Sequence, residues 1–126
     1  MTKKCSQNRS ALLKPLLGSP LREWILLILF TRDAAYPREI AEETNAALRA
    51  VQRQLKTLED YGVVYSRRRG KIRLFYLNPR YPFRRELEAL LKKVLELLPA
   101  KERERYYIPR LRPRIPGKPV RYVPSR

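Results

Sequence analysis

The sequence predicts a mainly α-helical domain with a small β-hairpin, an α+β fold with a three-helix core, two strands and a further C-terminal helix. Three observations carry this expectation. An apolar run, Trp24 to Phe30, follows a Ser-Pro pair suited to a helix start. Two segments of helical spacing come next, divided by Asn45. Two β-branched and aromatic segments then flank Arg68-Arg69-Gly70-Lys71, ahead of a last segment whose apolar residues approach a heptad seam.

Ser19 is a good N-cap and Pro20 fits the first helical position, so the first helix should run to about Arg32. Its middle is apolar on every side, where a surface helix would show one stripe. Two faces therefore need burial, one in the core and one, by expectation, against another protomer. The stretch from Asp33 to Pro37 breaks this helix. Pro37 can start the next, with Arg38 to Thr44 helical and Glu39 placed in the first turn, where a carboxylate suits the helix dipole. Asn45 ends it, because Asn tolerates the left-handed conformation of a tight turn. A third helix, about Ala47 to Tyr61, puts Val51, Leu55 and Leu58 on one face, and Gly62 terminates it. Val63–Arg67 and Ile72–Leu77 are the strands, with Gly70 supplying the positive φ of the hairpin loop. After a loop at Asn78–Pro82, a helix from Phe83 to Leu98 ends at Pro99. Ala100 to Tyr107 adds a short charged helix.

This organisation divides the chain into a basic arm (1–18), one domain (19–98, closing with helix 83–98) and a basic Pro/Arg-rich tail (99–126). The arm carries Lys3, Lys4, Arg9 and Lys14 without an acid and reads as loose, with a helical turn at Leu12–Leu17. Residues 109–126 hold five prolines and six Lys/Arg without an acid, which reads as extended or disordered.

Composition narrows the function classes. The 126 residues hold 29 Lys+Arg against 12 Asp+Glu, a formal charge of +17 that attracts polyanions at long range. The apolar run is far shorter than the roughly 18 residues of a bilayer span, and Lys14 and Pro15 interrupt what would be the apolar part of a signal peptide. The expectation is a cytoplasmic, nucleoid-associated protein without a membrane partner. There is no histidine and Cys5 is the single cysteine, which removes Ser-His-Asp and Cys-His catalysis, disulfides within the chain and the usual zinc sites. The glycines at 18, 62, 70 and 117 form no phosphate loop. No enzyme activity, metal or other cofactor is expected, and Cys5 reads as an unused thiol.

Three segments carry a resemblance: Arg38-Glu-Ile-Ala-Glu-Glu-Thr-Asn45, then Val51-Gln-Arg-Gln-Leu-Lys-Thr-Leu-Glu-Asp-Tyr-Gly-Val-Val64, then the hairpin ending Phe75-Tyr-Leu-Asn-Pro79. Over roughly Leu16 to Leu98 the chain resembles the winged helix-turn-helix of ArsR/MarR-like bacterial and archaeal transcriptional regulators. Ala41 is small where two helices cross, Asn45 stands where Gly is usual, and Val51 inserts between the helices. Ala46-Ala47 departs from the usual capping Ser or Thr, which weakens the cap by about 1 kcal/mol.

The resemblance implies a three-helix core, a wing, a C-terminal dimerisation-type helix, and a third helix that enters the major groove. Its outward residues are Leu48, Arg49, Gln52, Arg53 and Lys56; Arg pairs with guanine and Gln with adenine, while Lys56 suits phosphate. Arg67, Arg68, Arg69, Lys71 and Arg73 crowd the wing without an acid and fit phosphate or minor groove. Arg38 is the expected contact at the N-terminus of the second helix. Surplus apolar surface on the first and last helices points to a homodimer through Trp24, Ile28, Leu87, Leu91, Val94 and Leu98. The expected activity is double-stranded DNA binding by a dimeric regulator, most simply a repressor. The alternatives are an architectural DNA-coating protein of little sequence preference, or an RNA-binding module using the tails with Tyr106, Tyr107 and Tyr122 for stacking. Relatives that sense ligands are suggested too, but the lack of histidine and of a second thiol leaves metal and dithiol sensing without ligands.

Overall fold

The computed structural model describes residues 9–107; the rest of the arm and of the tail, with Cys5 and Tyr122, lies outside the described residues. The described elements are α1 (Lys14–Leu17), α2 (Pro20–Arg32), α3 (Pro37–Thr44), α4 (Leu48–Asp60), β1 (Val64–Arg69), β2 (Ile72–Leu77), α5 (Arg84–Leu97) and α6 (Ala100–Tyr106). The α+β expectation is met: a mainly helical winged helix-turn-helix with one antiparallel hairpin.

α2 is the axis of the domain. The Ser19 hydroxyl accepts from the Arg22 N–H at 3.3 Å and Pro20 opens the helix. Ile25, Leu27 and Ile28 have no exposure at all, and α2 touches every other helix as well as β2. Its second apolar face is covered from within the chain. α5 and α6 fold back onto it, with Tyr106 buried among the core residues. This corrects the residues expected at a dimer interface. Ile28, Leu91, Val94 and Leu98 are 0, 0, 3 and 4% exposed, so they belong to the core of a single chain. Leu87 packs against that core, and Trp24, half-buried, donates its Nε1–H to the Ser10 carbonyl at 3.0 Å. Composition shows the surplus of apolar side chains; it does not show that a short charged helix returns to cover them.

Residues 9–18 are likewise packed, not loose. Arg9 is buried, and its Nη2 donates to Glu43 Oε2 at 3.1 Å. Its guanidinium carbon lies 4.9 Å from the Tyr106 ring and 5.7 Å from the Trp24 ring, an arrangement in which aromatic faces stabilise a desolvated cation. The other oxygen of Glu43 pairs with Arg32 at 3.0 Å, and Arg32 also donates to the carbonyls of Arg105 and Tyr106 at the end of α6. Ser10 gives both its N–H and its hydroxyl to Glu102. One carboxylate on α3 thus joins the segment before α1 to the end of α2, and through Arg32 to α6. Burial pushes the Tyr106 phenol up to about 12, against the opposing pull of Arg9.

The helix-turn-helix is built from two tight helix ends. Asn45 adopts φ 60° and ψ 33°, and the Ala46 N–H reaches back to the Ala41 carbonyl at 3.1 Å. At the end of α4, Gly62 takes φ 80°, with Val63 N–H on Leu58 O and Gly62 N–H on Glu59 O, the two bonds of a Schellman motif. The strands pair Val64↔Leu77 through Arg69↔Ile72 around a two-residue turn. Gly70 at its first position has φ 68°, the II′ geometry that matches strand twist. The tightness of this turn makes β1 longer than expected, because Arg68 and Arg69 join the ladder instead of the loop. Ala35 pairs with Phe75 and ties the wing to the α2–α3 connection.

Glu23 is the one fully buried carboxyl of α2. Its Oε1 accepts the Leu13 N–H at 2.8 Å, while Oε2 has no hydrogen-bond partner among the described residues. Desolvation raises its pKa above the ordinary 4.5, against the lowering effect of the Leu13 and Leu12 N–H groups. A folded-state pKa above the unfolded one means that the native state binds more protons. Stability from this group is therefore present at low pH and declines as pH rises from near 4.5 through the raised value. Urea midpoints measured across pH should show that decline in the parent chain and a flatter profile in Glu23→Gln; identical profiles would locate the dependence elsewhere.

Candidate nucleic-acid interface

The outward face of α4 resolves into two rows. Leu48, Gln52 and Lys56, four residues apart, line an open groove of about 750 Å³ between α4, the start of α3 and the wing. Arg49 and Arg53 form a second, exposed row outside that groove. Arg38 stands at the α3 side of the groove, and Lys71 and Arg73 at the wing side. The structure therefore gathers Arg38, Gln52, Lys56, Lys71 and Arg73 around one concavity, lined also by Leu55 and Phe75 and by the carboxylates Glu39, Glu42 and Glu59. Leu48 lines the groove too, but it is half-buried and packs against the core, so it contributes shape more than reach.

The register of the hairpin sorts the remaining cations. Partners across an antiparallel ladder share a face, and faces alternate along each strand. Val64, Ser66, Phe75 and Leu77 turn toward the helices, with Val64 and Phe75 in the core. Arg68 and Arg73 pair on that same face, a like-charge juxtaposition that costs stability unless an anion lies between or beside them. Arg67 and Arg69 occupy the opposite face. All five wing cations are exposed.

Two links not foreseen from the sequence fix this geometry. Ser66 donates its hydroxyl to Glu59 Oε2 at 2.8 Å and accepts from Arg73 Nη1 at 3.0 Å, so the end of α4 holds the wing through one serine. Arg22 Nε donates to Gln54 Oε1 at 2.8 Å, tying α2 to the rear of α4. The sequence signal for the first was an acid and a hydroxyl on either side of the Gly62 turn, which the abundance of Arg around them conceals. Glu39 is in the groove wall for a structural reason, since its Oε1 accepts the Tyr36 N–H at 2.9 Å at the start of α3. Lys56 reaches Asp60 at 3.5 Å with both groups mostly exposed, a weak pair that leaves its ammonium available to an anion. Among the described residues no cluster of Cys, Asp and Glu is suited to a metal ion, and no described helix is long and apolar enough to cross a membrane.

A helix-turn-helix whose second helix is exposed beside a basic two-stranded wing defines the winged helix-turn-helix class of fold. The chain is similar in fold to ZitR of Lactococcus lactis. A double mutant of that protein in its apo form aligns with a TM-score of 0.51 and 23% identity, covering 68% of this chain and 73% of that one. A further structure of the ZitR double mutant gives a TM-score of 0.46 and 18% identity, over 68% of this chain and 66% of the other. No protein-family model and no curated protein matches the chain.

α4 begins without a side-chain cap, because its N-cap is Ala47, at φ −66° and ψ 140°. Those angles already suit a capping hydroxyl. Ala47→Ser should raise stability by about 1 kcal/mol, read as an increase in the urea midpoint at unchanged slope; an unchanged or lower midpoint would show that the α4 N–H groups are satisfied otherwise.

Proposed function

We propose that the chain binds double-stranded DNA as a transcriptional regulator, laying α4 in the major groove and the wing along the adjoining backbone or minor groove. The observation that carries this reading is the groove itself, which sets Gln52 and Lys56 of α4 opposite Lys71 and Arg73 of the wing, with Arg38 at its end. Cations on both walls of a concavity suit a phosphate backbone running between them. Arg49, Gln52 and Arg53 are the base-reading candidates, and Arg67, Arg68 and Arg69 supply backbone or minor-groove contacts. A dimer would set two α4 helices one duplex turn apart and act most simply as a repressor by occlusion. The protein would work on the nucleoid and carry no enzyme activity. The net charge of +17 favours a second reading, an architectural protein that coats DNA with little sequence preference.

Three measurements decide. With about ten phosphates neutralised, log K against log[salt] for duplex DNA should slope near −9; a slope near −2 would overturn the assignment of the wing cations. Arg53→Ala should reduce discrimination among sequences selected from genomic DNA, and Arg69→Ala should weaken all duplexes alike. Uniform weakening by both would establish the architectural reading, and a preference for structured RNA at matched salt would overturn both.

A further inference from the structure

The wing carries a free strand edge. Phe75 of β2 donates its N–H to the Ala35 carbonyl at 2.9 Å and accepts the Ala35 N–H at 3.1 Å, so both its backbone groups point away from β1. In an antiparallel ladder, facing residues either exchange both bonds or turn both groups outward, and the two kinds alternate. Ser66 faces Phe75, so its own N–H and C=O point to the outer side of β1. Those of Arg68, two residues on, do the same. Among the described residues neither has a backbone partner there, since the sheet holds β1 and β2 alone and Ala35 lies on the β2 side. Ser66 is half-buried and Arg67 to Arg69 are exposed, so this stretch of edge is open. Tyr65 and Tyr76 stack at 4.9 Å on the face that Arg67 and Arg69 share, a cross-strand pair that stiffens the hairpin beside the edge.

We propose that this edge takes up an extended, acidic segment of a partner protein as an added antiparallel strand. The N–H and C=O of Ser66 and Arg68 supply the pairing, and antiparallel pairing is the more stable kind per residue. The side chains choose the occupant. Cations along a strand edge keep it from joining indiscriminately with other strands. A second copy of β1 would bring Arg67, Arg68 and Arg69 of both chains into one ladder, with like charges crowded together. A strand with a carboxylate on every second residue meets no such barrier. The residues on either side of the one opposite Arg68 share the outer face with Arg67 and Arg69, where carboxylates pair with both guanidinium groups. The residue opposite Ser66 lies on the other face, where Glu59 already accepts the Ser66 hydroxyl, so an acid is disfavoured there. The pattern recognised is therefore acid alternating with uncharged residues. Pairing at this edge does not depend on DNA binding. Where both occur, a bound segment would take Arg67 and Arg69 away from a duplex.

The test uses the full chain without DNA and a fluorescent peptide of about six residues, valine alternating with glutamate. Polarisation should rise with protein concentration, and the Ser66 and Arg68 amides should gain protection from hydrogen exchange. N-methylation of the peptide separates pairing from charge. In the antiparallel register the valine N–H groups bond to β1 and the glutamate N–H groups point to solvent. Methyls on the valines should therefore weaken binding roughly tenfold, and methyls on the glutamates should leave it unchanged. On the protein, Arg68→Ala removes a charge and keeps the edge N–H, whereas Arg68→Pro removes both and spares the ladder to β2. Arg68→Pro should bind roughly tenfold more weakly than Arg68→Ala, with circular dichroism showing that both variants are folded. Equal binding by the two methylated peptides would mean attraction to charge alone and would overturn the proposal. No binding at about a millimolar of peptide would overturn it too. Loss of binding with the methylated glutamates alone would overturn the antiparallel register.

Discussion

Burial of α2 on every side is the constraint from which the rest of the structure follows. A helix with Ile25, Leu26, Leu27, Ile28 and Leu29 in unbroken succession has no face to offer water, so neighbours must surround it. α3 and α4 take one side and bring the helix-turn-helix with them. β2 and α5 take others, and α6 returns to complete the cover. In a domain of this size, burying that helix is a large share of the hydrophobic stabilisation available. Elements that close around it are held by the same core, so α4 is positioned by packing at its back (Val51, Leu55, Leu58) and leaves its polar rows free.

The carboxylates act inside this frame. Glu43 holds Arg9 and Arg32, Glu102 holds Ser10, Glu23 holds the Leu13 N–H, Glu39 holds the start of α3 and Glu59 holds Ser66. Each satisfies a donor that would otherwise be unpaired in or near the core, where the cost of an unmade bond is about 1–3 kcal/mol. Glu59 alone of these bonds to the wing, through Ser66, and Glu39 shares the groove with Lys71 and Arg73. From Val64 to Leu77 the chain has no acid at all. The segregation explains how a stable fold coexists with an excess of positive charge. Most of these carboxylates are engaged in local structure, and the cations outnumber the acids around the wing.

Much of this was legible in the sequence because local rules act alone at those positions. Ser19-Pro20, Asn45, Gly62 and Gly70 each meet a conformational demand of a single residue or turn, and each stands where expected. The rows on α4 were legible for the same reason, since helical spacing places Val51 and Leu55 inward and Arg49, Gln52 and Arg53 outward. What was illegible depends on pairing over long separations. Arg9 looks like one more cation of a basic arm until Glu43, Trp24 and Tyr106 are seen around it. Leu91 and Leu98 look like an interface until α5 and α6 are seen folded back onto α2, with both residues in the core.

The serine between Glu59 and Arg73 changes how helix and wing divide the work. Read as separate parts, the helix would supply specificity and the wing affinity. The structure joins them through Ser66, which takes its position from the last turn of α4 and fixes the direction of Arg73. Arg73 therefore faces the groove with Gln52 and Lys56 and away from the outer arginines, Arg67 and Arg69. On the proposed reading, a cation held at a set distance from the outward row of α4 would constrain where a phosphate can lie relative to that row, and so would act on register, the precondition for reading sequence at all. Arg67 and Arg69, on the far face, have no such link to α4, and theirs is the contribution that depends on charge alone.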